Sequence, residues 1–315
     1  VAITSPIVWN RFAVYDTCGG NEINCFSGNG LVTGLQEGET YKLRVYRTAS
    51  LALVSTFQSF SIQAFEAAEN DSCLNATTME VTTLPQTFNF VLQAALINNE
   101  MGCEGSSPEN YADLWYEFTM PFDGNVAITT PIIWNRFAIY DTCGGNEVSC
   151  FSGNNVITGL QQGETYTIRV YRTLALTLDS SFQSFTIQAF EAAENDTCTT
   201  ATLLGVSTSQ QQVDFVLQGA LLNNELACEG SEPAVYADLW YSFTMPVEGT
   251  IIITTPIVWT RFSLYDTCSG NEISCFEGNG TLEGLQFGQT YVLRVYRDLV
   301  STLNSSFQRF TIQAF

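Results

Sequence analysis

Histidine is absent from this chain, and lysine occurs once, at Lys42. Without histidine, Ser-His and Cys-His nucleophile systems and imidazole-ligated metals are excluded. Bases are scarce as well: eleven Lys and Arg stand against thirty-two Asp and Glu, a net charge of -21. Phosphates need basic patches, so neither nucleic acid nor a bare anionic membrane surface fits as a partner. No G-x-S-x-G elbow and no phosphate-cradling glycine loop with lysine occurs. No apolar run reaches the ~18 residues that cross a bilayer, which argues against direct membrane insertion. Paired carboxylates acting on glycosides are the one catalytic class left open by composition. Repetition in near-identical copies suits a spacer better than an enzyme, so the expectation is a non-catalytic chain without a cofactor.

Charged residues make up 14% of the chain and apolar ones 45%, with Phe and Tyr abundant. That balance indicates packed cores rather than disorder. The phrase "DTCGGNEINCF" at Asp16 returns as "DTCGGNEVSCF" at Asp141 and "DTCSGNEISCF" at Asp266. The repeat extends around it: "VAITSPIVWNRFAVYDTC" at Val1 matches runs at Val126 and Ile251, and "NDSCLNATT" at Asn70 matches "NDTCTTATL" at Asn195. A period of domain size is too long for the ~20 to 50 residues of a solenoid. The organisation read from this is residues 1–65 as the C-terminal half of a repeat, a linker at 66–70, a complete repeat at 71–190, a linker at 191–195, and a second complete repeat at 196–315. The half-repeat reads as a window from a longer protein and should need its other half to close its core.

All ten cysteines fall into two recurring spacings: Cys18 with Cys25, Cys143 with Cys150, Cys268 with Cys275, then Cys73 with Cys103 and Cys198 with Cys228. This is the pattern of disulfides formed in an oxidising compartment. Zinc is the competing reading, although its sites favour Cys-x-x-Cys knuckles. "FAVYDTC" and "INCF" are β-type runs around Gly-Gly-Asn, so Cys18 and Cys25 are expected to staple the two arms of a hairpin. "LWYEFTM" at Leu114, "TYTIRVYR" at Thr165 and "FQSFTIQAF" at Phe182 continue in the same style, and no segment keeps a helical period. The fold expected is all-β: tandem antiparallel, jelly-roll-like β-sandwiches, each with two disulfides. In "GLQEGETYKLRV" at Gly34, recurring at Gly159 and Gly284, the tyrosines Tyr41, Tyr166 and Tyr291 are expected to fold their hydroxyls back onto the backbone.

"NDSC" at Asn70, "ADLWYEFTMPFDGNVAITT" at Ala112, "FAIYDTC" at Phe137 and "GLQQGETYTIRVY" at Gly159 occur in an order that resembles bacterial pre-peptidase C-terminal-like domains. The resemblance covers nearly all of both complete repeats. It implies sandwich modules of large secreted Bacteroidetes surface proteins, associated with type IX secretion and similar to gliding-motility adhesins. Family members often carry acids just before the "LAVYDG"-like strand, where this chain has "WNRF" or "WTRF"; a calcium site built on those acids is therefore not expected. "DTC" and "DSC" resemble the Bacteroidetes O-glycosylation acceptor, which implies glycans on Thr17, Ser72, Thr142, Thr197 and Thr267.

Along an extended strand, side chains alternate faces. Trp134, Arg136 and Tyr140 therefore share a side opposite Phe137 and Ile139, and so do Trp9, Arg11 and Tyr15 and Trp259, Arg261 and Tyr265 in the other copies. Arg169 and Tyr171 lie opposite Ile168 and Val170 in the same way. Such a face suits sugar stacking or cation-π packing, or it lies under a loop or a neighbouring domain. The linkers gather Glu66, Glu69 and Asp71, or Glu191, Glu194 and Asp196. They form either a solvated acidic joint or a calcium site, since calcium takes six to eight oxygens. The function expected is a stalk or adhesive-fibre segment on the bacterial cell surface. Its partners would be neighbouring repeats, surface glycans or other copies of the fibre. Carbohydrate-binding modules and accessory domains of a secreted protease are the alternatives.

Overall fold

The computed structural model describes every residue except 53–57, 101, 104–108, 175–182, 224–234, 269 and 304–307. Residues 1–63 hold β1 (Ala2–Thr4), β2 (Arg11–Tyr15), β3 (Glu22–Ser27), β4 (Gly30–Leu31), β5 (Lys42–Tyr46) and β6 (Ser61–Gln63). The second repeat holds β7 (Thr77–Met79), β8 (Gln86–Phe90), β9 (Ile97–Glu100), β10 (Glu109–Thr119), β11 (Gly124–Thr129), β12 (Arg136–Tyr140), β13 (Glu147–Ser152), β14 (Asn155–Leu160), β15 (Thr165–Thr173) and β16 (Gln183–Glu191). The third repeats it with β17 (Thr202–Leu204), β18 (Gln211–Phe215), β19 (Leu222–Asn223), β20 (Tyr236–Thr244), β21 (Gly249–Thr254), β22 (Arg261–Tyr265), β23 (Glu272–Glu277), β24 (Gly280–Leu285), β25 (Thr290–Asp298) and β26 (Gln308–Ala314). Among the described residues, helix is confined to single turns such as Ala49–Ala52 and Leu299–Leu303. The chain is all-β, as its alternating apolar runs predict.

Each complete repeat is a sandwich of two sheets. In the second, one sheet runs β13-β12-β15-β10-β7 with β9 also on β10, and the other runs β14-β11-β16-β8. The pairings are antiparallel except β7 on β10, with β17 on β20 as its copy in the third repeat. In β16 the alternation holds from Gln183 to Ala189: Gln183, Phe185, Ile187 and Ala189 are buried while the residues between them are partly open. Phe137, Ile139, Ile168, Val170, Phe185 and Ile187 meet in the core between the sheets. The tyrosine corners form as expected, with the hydroxyls of Tyr41, Tyr166 and Tyr291 accepting from the backbone N–H of Gln36, Gln161 and Gln286 at 2.8, 3.0 and 3.1 Å.

The cysteine pairing differs from the hairpin clasp. Cys73 is bonded to Cys143, Cys103 to Cys150 and Cys198 to Cys268. Cys275 is also disulfide-bonded, and Cys228 lies outside the described residues. Cys18 and Cys25 are free and exposed. Strand register explains the failure of the local pairing. Cys150 stands opposite Ala138 on the β12–β13 ladder, five residues before Cys143 in the chain. At ~3.3 Å per residue that offset exceeds the ~7 Å Cα reach of a disulfide. The turn between the arms is closed instead by Asp141, whose Oδ1 accepts from Asn146 N and whose Oδ2 accepts from Asn146 Nδ2, both at 2.8 Å.

The second and third repeats are joined by more than the linker. Asn125, fully buried, donates to the carbonyls of Gln218 and Ala220 at 2.9 and 2.8 Å. Beside it, Ala127, Val156 and Phe190 form an apolar patch on which Leu222, Leu299 and Leu303 of the third repeat pack.

Candidate functional site

The arginine and aromatic face divides into a buried layer and an exposed tip. In the layer, Arg169 Nε donates to Asp113 Oδ2 at 2.5 Å and Nη2 to Asn98 Oδ1 at 3.3 Å, while Asn98 Nδ2 donates to Asp113 Oδ1 at 2.8 Å. The guanidinium lies over Tyr171 at 4.8 Å and over Trp115 and Tyr111 at 5.7 Å each. The third repeat copies this arrangement with Arg294, Asp238, Asn223, Tyr296 and Trp240. Both arginines and both aspartates are essentially inaccessible. Strands β9 and β19 supply the asparagines, and the Cys103–Cys150 disulfide lies beside Tyr171, whose hydroxyl is 3.5 and 3.4 Å from the two sulfurs. Burial pushes the Tyr171 and Tyr296 phenols up to about 12. A charge pair sealed in this way is structural. Removing one partner leaves the other charge buried and alone, whereas solvent has no access to the intact pair.

Of the sequence-selected face, the layer thus takes Arg169 and Tyr171 out of reach, and Tyr140 is half-buried against Trp115 with ring centroids 5.8 Å apart. Tyr265 packs on Trp240 in the same way. Asp113 and Asn98, with Asp238 and Asn223, escaped sequence reasoning. Their signal was an acid inside an apolar strand run, "ADLW", recurring in both complete repeats.

Trp9, Trp134 and Trp259 are different. Each sits third in a four-residue turn closed by a backbone bond, from Asn10 N to Ile7 O, Asn135 N to Ile132 O and Thr260 N to Ile257 O, at 3.0 to 3.1 Å. The two central residues are Val8–Trp9, Ile133–Trp134 and Val258–Trp259, and the tryptophans are 55%, 59% and 50% exposed. Turns of this kind prefer Gly, Asn, Asp and Pro, so three bulky apolar pairs facing water stand out.

The turn is held from behind. Asn135, fully buried, donates to Thr130 Oγ1 at 2.8 Å and accepts from Arg172 Nε at 2.7 Å, and its carbonyl accepts from Gly153 N at 2.9 Å. Asn10 with Arg47 and Thr260 with Arg297 repeat the anchor. Burial lowers the Arg297 guanidinium to about 10. Gly28, Gly153 and Gly278 take φ near +74° and bring their backbone against Val8, Ile133 and Val258. Arg11 is exposed and Arg136 partly so; Arg261 donates to Glu277 at 3.0 Å and to the Tyr236 hydroxyl at 3.1 Å.

The linker acids are not drawn together, and among the described residues no three His, Cys, Asp or Glu side chains group as metal ligands. Asp71 Oδ1 and Asp196 Oδ1 each accept a backbone N–H, from Leu96 and Leu221, at 2.7 Å. Burial raises both carboxyls above their usual range. Thr17, Ser72, Thr142, Thr197 and Thr267 are all exposed, and Ser72, Thr142, Thr197 and Thr267 each precede a disulfide-bonded cysteine in the chain.

No curated protein matches the chain. Among solved structures, the CUB1-EGF-CUB2 domains of rat MASP-1 align at 9% identity over 75% of this chain and 100% of that one, with a TM-score of 0.22. The tandem CBM51 modules of a family 98 glycoside hydrolase from Streptococcus pneumoniae align at 9% identity over 74% of this chain and 93% of that one, with a TM-score of 0.18. At such TM-scores neither likeness carries weight for function. The family match is of another order, running over residues 1–62, 69–187 and 194–312 in three consecutive copies of one domain. The chain belongs to the type IX secretion-associated family described as galactose binding domain-like.

Proposed function

We propose that this chain is a non-catalytic segment of a secreted stalk or adhesive fibre at the bacterial cell surface. The observation that carries this reading is the joint between the second and third repeats. A five-residue linker alone would leave two beads free to swivel. Here the Asn125 amide holds two carbonyls of the next repeat, and an apolar patch is buried beside it. Repeats joined in this way keep a fixed spacing and transmit load. The disulfides tie the first half of the second repeat to its second half across 70 and 47 residues, and the halves of the third across 70, and cross-links over such loops resist unfolding. The exposed hydroxyls beside the disulfides are accessible acceptors for glycans on the fibre. Small-angle scattering tests the reading. The native chain should scatter as a stiff, elongated particle, and Asn125→Ala with Ala127→Asp should add a hinge; a native chain already as flexible as that variant would refute it.

A second reading, glycan binding, is favoured by the anchored Val/Ile–Trp turns. A tryptophan held open to water by a buried asparagine or threonine behind it offers a preformed platform for the apolar face of a sugar ring. Galactosides are the first ligands to try, given the family. Trp9, Trp134 and Trp259 changed together to Ala should abolish binding on a glycan array, and binding that survives the triple change would dismiss this reading.

A further inference from the structure

The end of the second repeat that faces the third is a seat, and the part of the third repeat that fills it is a preformed plug. In the seat, Asn125 gives both amide hydrogens to the plug while its Oδ1 accepts from Gly159 N at 3.1 Å, which fixes the amide's orientation. Ala127, Val156 and Phe190 form the apolar floor. In the plug, Gln218 Nε2 donates to Thr302 O at 2.8 Å, and Gln308 Oε1 accepts from Leu217 N at 3.1 Å. The turn at 217–220 and the helical turn Leu299–Leu303 are therefore tied into one body before they meet the seat.

The third repeat carries the same seat at Thr250, Ile252, Thr281 and Phe315, and there it is uncovered. Ile252 is 37% exposed and Phe315 55%, where Ala127 and Phe190 are 7% and 8%. Position by position, then, this surface is buried in the second repeat, under the plug of the third, and open in the third repeat of residues 1–315. Three of the four positions differ: Thr281 puts a hydroxyl where Val156 forms part of the floor, and the other two changes bear directly on the fit of a plug. The joint of the second and third repeats leaves a cavity of about 120 Å³ bordered by Ala127, Phe190, Gln218 and Leu303. The larger side chain of Ile252 stands where Ala127 borders that gap, so the added bulk is compatible with the same plug. Thr250 offers one hydroxyl hydrogen where Asn125 offers two amide hydrogens, so one plug carbonyl loses its donor.

We infer that the open end face of the third repeat is a docking seat for the plug of another module of this family, and that it holds that plug more weakly than the second repeat's seat does. The partner is defined by its chemistry: a tight turn presenting two carbonyls, beside a helical turn presenting leucines. The contact is heterologous and does not close on itself, so it extends an array rather than forming a dimer. The inference rests on the reading of the chain as a rod of joined repeats.

The probe is residues 191–315 as a separate protein. Its two sheets and its own core lie within that span, and freed of the second repeat it presents an open plug. Ile252→Asp in the probe blocks its own seat, and circular dichroism checks its fold. Titrated into the full chain and followed by calorimetry, the probe should bind saturably. Binding should weaken at least tenfold when the full chain carries Ile252→Asp, and also when the probe carries Leu299→Asp with Leu303→Asp. Thr250→Asn in the full chain should tighten it several-fold. No saturable binding at millimolar probe, or binding indifferent to Ile252→Asp, overturns the seat. Scattering of the full chain alone separates this from the rod reading: a stiff chain that fails to bind the probe loses only the seat, whereas a hinged chain loses the rod.

Discussion

Ile62 and Ile187 occupy the same place in one repeated sentence, yet Ile62 is 59% exposed and Ile187 is fully buried. Phe60 and Phe185, Val45 and Val170, and Arg44 and Arg169 divide in the same way, open in the first repeat and closed in the second. The strands themselves are alike: β2 pairs with β3 and β5 in the register that β12 keeps with β13 and β15. What differs is the flank. In the second repeat β15 is covered by β10 and β16 by β8, while β5 and β6 of the first repeat end their sheets. The comparison shows that pairing within a half-repeat is local, whereas burial of the same residues belongs to the other half.

The largest expected break in the comparison lies at the arginines. Arg169→Met strands the Asp113 carboxylate in a sealed layer and should destabilise the second repeat by ~3 to 5 kcal/mol in chemical denaturation. Arg44→Met, at an open position stacked on Tyr46, should stay within ~0.5 kcal/mol.

The cysteines come next. Replacing Cys73 and Cys143 together by Ser removes a cross-link over 70 residues, worth ~4 kcal/mol by chain entropy. Cys18→Ser should leave stability unchanged. In the protein of residues 1–315, alkylation followed by mass spectrometry should mark Cys18 and Cys25 and spare Cys73, Cys103, Cys143, Cys150, Cys198 and Cys268. Label on any of those six would break the contrast.

Alkali sharpens it further. Tyr171, Tyr241 and Tyr296 are raised to about 12, chiefly by burial. Their folded values lie above the unfolded ~10, so their contribution is whole below pH 10 and is lost as pH rises toward 12. Each should remove ~1.4 kcal/mol per pH unit in that window. Spectrophotometric titration should show these phenols ionising after the exposed ones, and a single common transition near 10 would contradict their burial in the sealed layer and, for Tyr241, in the core.

The smallest effect is expected where all repeats agree. Trp9→Ala, Trp134→Ala and Trp259→Ala should each change stability by no more than ~0.5 kcal/mol, because the ring faces water and the anchor lies behind the next residue. A large loss at Trp134 alone would mean that the turn is not equivalent in the complete repeats.

Much of the layout was legible. Alternation placed Ile168 and Val170 on one side of a strand and Arg169 and Tyr171 on the other, and the structure keeps that division. The corner tyrosines were readable because the bond spans five residues. The partner of Arg169 was not, since Asp113 is 56 residues away and meets it only through the β10–β15 register. The exposed tryptophans were selected together with Arg136 and Tyr140 because alternation sees only faces. It does not see that β9 and a disulfide cover one part of a face and leave the turn beyond it bare.

By itself, then, the sequence determined two complete copies and one half copy of an all-strand unit, the strands within each and the turns between them, because these depend on side-chain alternation and on bonds a few residues long. Only the tertiary structure decided which cysteines meet, which charges are sealed and how one repeat seats on the next. Those depend on distances between segments tens of residues apart, and such distances are set when sheets stack, not when strands form.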